Sequence, residues 1–214
     1  WDCWQNDTPL NYEGEHYQFK LMTPFFNPGP IDHPDIPIYI AGVNEKNCYL
    51  AGERCQGLHA HGFHTVSYLN DVVLSNVTAG LAAAGRERSA FELVVPIFTV
   101  TGRDDAEMQK NIVETKSRIA FYASTPSYSV VMETHGWDAV RETLSRMARH
   151  GEWDEMWRQI TDEMLETIAV VAPPQQLRQK IESRYTGLAD RVCLGWDVND
   201  PEGHWFLEYF AAPA

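Results

Sequence analysis

The sequence predicts an α/β fold, half of a (β/α)8 TIM-type barrel, with a helical insertion before the last strand. Three observations predict it. Short apolar, β-branched runs without polar alternation recur at 37–42, 57–63, 93–101 and 190–196, as in parallel strands covered on both faces. Stretches of helical patterning separate these runs, which implies a parallel sheet. Four such strands with this much helix do not close a barrel by themselves.

The elements follow in order. The first 37 residues are irregular. Aromatic and polar residues alternate around Gly14, from Tyr12 to Phe19, which suits a short hairpin. A loop containing Pro24, Pro28, Pro30, Pro34 and Pro37 comes next. Pro37-Ile38-Tyr39-Ile40-Ala41-Gly42 reads as the first strand, and Asn44 as the cap of a helix with Tyr49, Leu50 and Ala51 on its apolar side. Gly57 to Phe63 is the second strand, and Leu69 to Ala84 a helix ending at Gly85. Leu93 to Thr101 is the third strand, although Pro96 removes a ladder bond. Asp104-Asp105-Ala106-Glu107 places acids at a helix start, where they suit its dipole. Helical patterning then dominates from Ala106 to Ile168, broken near Pro126, Gly136 and Gly151; Trp153 and Met156-Trp157 read as packing residues there. A helix after Pro173-Pro174 runs to Tyr185, Asp190 to Trp196 is the fourth strand, and Pro201 to Phe210 a final helix.

Composition narrows the function. With 214 residues, 44% of them hydrophobic, there is material for one sizeable core. A formal net charge of -13 repels phosphate backbones and anionic headgroups, so nucleic acid and membrane surfaces are excluded as partners. No apolar run approaches the roughly 20 residues of a membrane span. Cys3, Cys48, Cys55 and Cys193 form no C-x-x-C pair and read as reduced thiols of a cytoplasmic protein. The opening Trp1-Asp2-Cys3-Trp4 has no initiator Met, so the chain is read as a stretch of a longer protein.

Three stretches carry a family resemblance: Pro37-Ile38-Tyr39-Ile40-Ala41-Gly42 with the Asn44 helix, Leu50-Ala51-Gly52-Glu53-Arg54-Cys55-Gln56-Gly57-Leu58, and Val170-Val171-Ala172-Pro173-Pro174-Gln175-Gln176-Leu177. In this order they resemble the luciferase-like monooxygenase superfamily, bacterial-luciferase-like enzymes whose motifs read P-I-x-I-A-G, L-A-G-x-x-A-D-G and G-x-P-E-E-L. The hairpin around Gly14 looks like the family's insertion after the fourth strand. Gln56 stands where the family has Asp, and Ala172 where it has Gly. The pattern is closest to the branch using the deazaflavin coenzyme F-420, with FMN as second choice. The resemblance implies a single domain over 1–214, the C-terminal half of the barrel without its first four strands. It implies an oxidoreductase moving a hydride between that cofactor and a small organic substrate. The catalytic polar groups lie largely on the early strands, so these residues alone should be inactive. A homodimer is allowed for the full-length protein.

Barrel enzymes place their sites at the carboxyl ends of strands. The first strand ends at Ala41, Gly42 and Val43 and runs into Asn44. Small residues and a helix start suit a phosphate there, and the resemblance makes these four the cofactor-phosphate cradle; the competing reading is a strand-to-helix turn that needs glycine. His61, Phe63 and His64, at the end of the second strand, are candidates for substrate contact, as is Trp196 after the fourth. His59 reads as a satisfied core residue. Thr99 and Thr101 read as ordinary β-formers. Two other functions remain open: a metal-dependent barrel hydrolase using His59-x-His61 with Asp197, and a non-catalytic flavin-binding relative. No metal is assigned.

Overall fold

The computed structural model describes residues 1–195 together with Trp205, Tyr209 and Phe210. The chain divides into two compact units, Trp1–Pro37 and Ile38–Ala214. The first holds helix α1 (Asp2–Gln5) and strands β1 (Tyr12–Glu13) and β2 (Gln18–Phe19). The strands form an antiparallel hairpin with Tyr12 opposite Phe19, and the Gly14 amide donates to the Tyr17 carbonyl at 2.9 Å. The Gln5 side chain ties down the backbone of Ile31 through both its amide groups, at 3.0 and 3.1 Å.

The second unit begins with β3 (Tyr39–Ala41), α2 (Glu45–Arg54), β4 (Gly57–His59) and α3 (Val66–Tyr68), which passes through a π-helical stretch, Leu69–Leu74, into α4 (Ser75–Ala83). Strands β5 (Glu92–Ile97) and β6 (Thr99–Val100) follow. The insertion comprises α5 (Asp105–Ser124), α6 (Ser129–Glu133), α7 (Asp138–His150) and α8 (Asp162–Ile168). Then come β7 (Val170–Val171), α9 (Pro174–Tyr185) and β8 (Arg191–Leu194). Of the expected final helix, Trp205, Tyr209 and Phe210 are helical; its other residues lie outside the described ones, as do Trp196 and Asp197.

The main sheet has the order β3-β4-β5-β8, every neighbouring pair parallel. These are the four strands legible in the sequence, shorter than the apolar runs that announce them. The third run splits at Phe98. Before it, β5 pairs with β8; beyond it, β6 pairs with β7, and the Phe98 carbonyl accepts from the Val170 amide at 2.8 Å. Two valines after a helix carry no periodicity, so β7 had no signature in the sequence. Register places Ile40, Leu58 and Leu93 abreast on one face and Tyr39, Gly57 and Glu92 abreast on the other. Leu58, Leu93 and Val95 are fully buried. Gln56, the departure from the family's Asp, accepts the Ile38 amide with its side-chain oxygen at 2.9 Å and so aligns the start of β3.

Helix α2 does not bury Tyr49 and Leu50, as its apolar pattern implied; both are exposed. Its inward face is Cys48, Ala51 and Gly52. The reason is the closeness of α4. A Cβ at Gly52 would sit 2.1 Å from the Val77 carbonyl oxygen, and one at Gly80 would sit 2.1 Å from that of Tyr49. Only small residues fit such a crossing, so the large ones turn outward. The insertion is joined through a buried amine, with Lys116 of α5 pairing with Asp162 of α8 at 2.7 Å. Helix α7 ends at Gly151 with φ of 75°, the left-handed cap that glycine adopts freely.

Candidate active site

Strands β3 and β4 run parallel, so their carboxyl ends lie side by side. A pocket of about 290 Å3 opens there. The turn Ala41–Asn44 forms one wall, His59, Ala60 and His61 the next, and Ser127 and Tyr128 a third. The structure thus brings the sequence-predicted turn and His61 together in one cavity.

The turn is held from behind. The Tyr68 hydroxyl donates to the Val43 carbonyl, and burial pushes that phenol well above its ordinary value. The Gly42 amide donates to the His59 carbonyl at 3.3 Å, so it is already committed. A Cβ on Gly42 would lie 2.9 Å from Leu58 Cδ1, so Leu58 would have to shift to admit a larger residue here. Among the described residues the Val43 and Asn44 amides have no protein acceptor. They stand at the start of α2, where backbone N–H groups are free and the dipole favours an anion. Asn44 occupies the N-cap position, but its side chain makes no capping bond and remains available.

His61 is the polar centre of the second wall. Its Nδ1 accepts the Phe63 amide at 3.0 Å, which leaves the ring proton on Nε2. Tyr122 and Tyr128 each lie 4.5 Å from its ring, centroid to centroid. Burial lowers its pKa, so at neutral pH the imidazole is uncharged with a fixed Nε2–H donor.

Phe63 and His64 sit beneath the pocket rather than in it. Both are fully buried. Phe63 packs against Tyr122 and Tyr128. His64 is saturated by protein: its Nδ1–H donates to the His61 carbonyl at 2.8 Å and its Nε2 accepts from the Tyr185 hydroxyl at 3.0 Å. Burial pulls its pKa down to about 4. Neither side chain has exposed surface, so the structure does not bring these two into the cavity with His61. The strand ends at His59, and the turn after it carries 63 and 64 inward. His59, read as core, is instead exposed beside the Tyr39 ring. Thr101 is buried, and among the described residues its hydroxyl finds no partner.

Asn47, Ser127 and Tyr128 also line the pocket and had not been singled out. Asn47 lies one turn into α2. Ser127 and Tyr128 arrive from the insertion, and the helix break at Pro126 was their only sequence signal. Among the described residues no cluster of three or more His, Cys, Asp or Glu groups could hold a metal ion, and no helix is long and apolar enough to cross a membrane.

The family model for luciferase-like monooxygenases matches residues 2–191. The chain belongs to this family. Among luciferase-like relatives, an uncharacterized protein of Mycobacterium tuberculosis is 41% identical over 192 residues, 90% of this chain and 56% of that protein. The 5,10-methylenetetrahydromethanopterin reductase of Archaeoglobus fulgidus is 29% identical over 191 residues, 87% of this chain and 54% of the reductase. The solved coenzyme F-420 dependent tetrahydromethanopterin reductase from Methanopyrus kandleri superposes with a TM-score of 0.74 at 22% identity, covering 97% of this chain and 57% of its own. That likeness establishes the α/β barrel-type fold of the family. The chain spans about half the length of the relatives it matches.

Proposed function

We propose that this chain forms the C-terminal half of a cytoplasmic luciferase-like oxidoreductase barrel and holds its cofactor, coenzyme F-420 in preference to FMN, for hydride exchange with a small organic substrate. The observation that carries the reading is the convergence of the Ala41–Asn44 turn and His61 in one pocket at the carboxyl ends of two parallel strands. The F-420 dependence named for the Methanopyrus kandleri enzyme supports the choice of cofactor.

The residues fit such a group. The free Val43 and Asn44 amides suit its phosphate, with Ala41 and Gly42 leaving the approach open. When bound, the cofactor supplies the hydride chemistry. The protein's part is to bind and orient. Tyr68 fixes the turn through the Val43 carbonyl. His61 presents an uncharged Nε2–H to an oxygen of the ligand. Tyr128 offers an aromatic face to a planar ring. Trp196 remains a candidate for a further wall. The remaining strands of the barrel, and with them the main catalytic groups, belong to the rest of the enzyme, so residues 1–214 alone should bind weakly and turn over nothing. The full-length enzyme is compatible with a homodimer.

The test is calorimetric titration of the full-length protein with F-420 and with FMN, using Asn44→Asp. Asp is as good an N-cap as Asn, so the fold is kept while a negative charge enters the cradle. The reading expects F-420 affinity to fall about tenfold or more, some 1.4 kcal/mol. Unchanged affinity would put the phosphate elsewhere. Tight binding without turnover on any substrate would instead mark a non-catalytic binder.

A further inference from the structure

Helix α7 floors a second cavity, an open groove of about 1090 Å3, whose lining runs from Ser124 at the end of α5 across Arg141, Glu142, Arg146 and Arg149 to Trp153. Three guanidiniums stand here with one carboxylate. That balance is unusual in a chain where Asp and Glu outnumber Lys and Arg by 30 to 17. Five arginines elsewhere in the molecule, Arg88, Arg103, Arg158, Arg178 and Arg191, each hold a carboxylate oxygen at 3.0 Å or closer. Among the described residues Arg146 and Arg149 have no ion-pair or hydrogen-bond partner. The carboxylate oxygen paired with Arg141, on Asp138, is 3.9 Å away, and the Arg141 Nε is shut off from solvent with no acceptor.

Arg146 and Arg149 are three residues apart on one helix, so they project from the same face about 5–6 Å from each other. Each guanidinium can grip a phosphate or carboxylate with two parallel hydrogen bonds. Beside them Trp153 is half exposed, 48% by area, with Phe121 packed 6.1 Å behind it. Its ring is a flat apolar surface next to a cluster of uncompensated positive charge.

We propose that this groove binds a small polyanion carrying at least two phosphate or carboxylate groups. Arg146 and Arg149 clamp the anionic groups, Arg141 adds to the local field, and Trp153 bounds the site. The negative charge of the whole chain disfavours long polyanions, whereas a compact one is held by the local cluster.

The test is calorimetry at low ionic strength on the full-length protein, with inorganic pyrophosphate and with citrate as probes. Saturable binding is expected, weakening steadily as salt is raised; the preferred probe tells phosphate from carboxylate recognition. The double variant Arg146→Gln, Arg149→Gln should bind at least tenfold more weakly. Gln keeps helix propensity close to that of Arg, and far-UV circular dichroism verifies the fold. Glu142→Gln should bind severalfold more tightly, a gain that damage to the fold would not produce. Asn44→Asp, in the pocket beside β3, should leave this binding as it is, which separates the groove from the cofactor cradle. The proposal is overturned if neither probe binds saturably, if the double arginine variant binds like the parent, or if Asn44→Asp abolishes binding.

Discussion

The Tyr39 hydroxyl donates a hydrogen bond to the Glu92 carboxylate across Gly57, the residue that separates them on β4. The crossing depends on the missing side chain, because a Cβ at 57 would lie 2.2 Å from Tyr39 Cε1 and 2.6 Å from the Glu92 carbonyl oxygen. Arg191 holds the other carboxylate oxygen at 2.8 Å. One polar ladder therefore links β3, β5 and β8 over the top of β4.

Gly57→Val should destabilise the protein by about 1–3 kcal/mol through overpacking, read as a lower denaturation midpoint. The penalty should shrink in a Tyr39→Ala background, since the ring is the nearest obstacle and the two sites couple. Equal penalties in both backgrounds would mean the ring is not the constraint. The ladder also carries a pH signature. The Tyr39 hydrogen bond first, and Arg191 second, hold the Glu92 carboxyl below the usual carboxylate range. A depressed carboxyl contributes stability above its unfolded pKa and loses it as pH falls through the folded value. Stability curves of wild type and Glu92→Gln should therefore converge below about pH 4.5.

The α2–α4 crossing makes a second demand. Gly80→Ala inserts a methyl group against the Tyr49 backbone, and Gly52→Ala does the same against Val77. Ala ordinarily favours a helix by about 1 kcal/mol over Gly. Here the sign should reverse, with a net loss on the order of 2 kcal/mol. Thermal melts of either variant showing a gain would mean that the helices can separate without cost.

His64 is held neutral by burial, with its pKa lowered to about 4. An imidazole whose folded pKa is depressed is protonated more readily in the unfolded chain. Its destabilising effect therefore begins as pH falls below the unfolded value near 6.5 and levels off below about 4. Between pH 7 and 5 wild type should lose on the order of 2 kcal/mol to this residue, and His64→Gln should lack that slope. Tyr185→Phe strips the Nε2 of its donor and should cost about 1–3 kcal/mol at neutral pH. Because His64 reaches no solvent, the effect of either change should be on stability before activity; normal stability with lost turnover would contradict its placement.

Strands β3 and β8 are each paired on one side among the described residues. Open strand edges recruit other strands. Residues 1–214 expressed by themselves should therefore self-associate or melt without cooperativity. Light scattering and calorimetry would read this, and a monodisperse monomer with a sharp transition would show that the edges are protected.

The apolar runs at 37–42, 57–63, 93–101 and 190–196 announced the parallel sheet unaided, though longer than its strands, because strands covered on both faces are apolar throughout and apolar runs are readable one at a time. The motifs flanking them determined the family for the same reason: they are local. What lay beyond the sequence were relations between distant segments. Whether Tyr49 or Gly52 faces inward on α2 was decided by how closely α4 approaches, and no single-helix pattern contains that distance. His59, His61, Phe63 and His64 looked alike as residues at a strand end, and the turn after β4 sorted them, exposing His59, half-burying His61, and burying Phe63 against Tyr122 and Tyr128 and His64 against Tyr185 of α9. Tyr128 joined the pocket only because α5 returns to the sheet after twenty residues of helix. Chain chemistry is written in neighbours along the backbone, whereas burial, and with it every pKa and every accessible donor in the site, is set by neighbours in space.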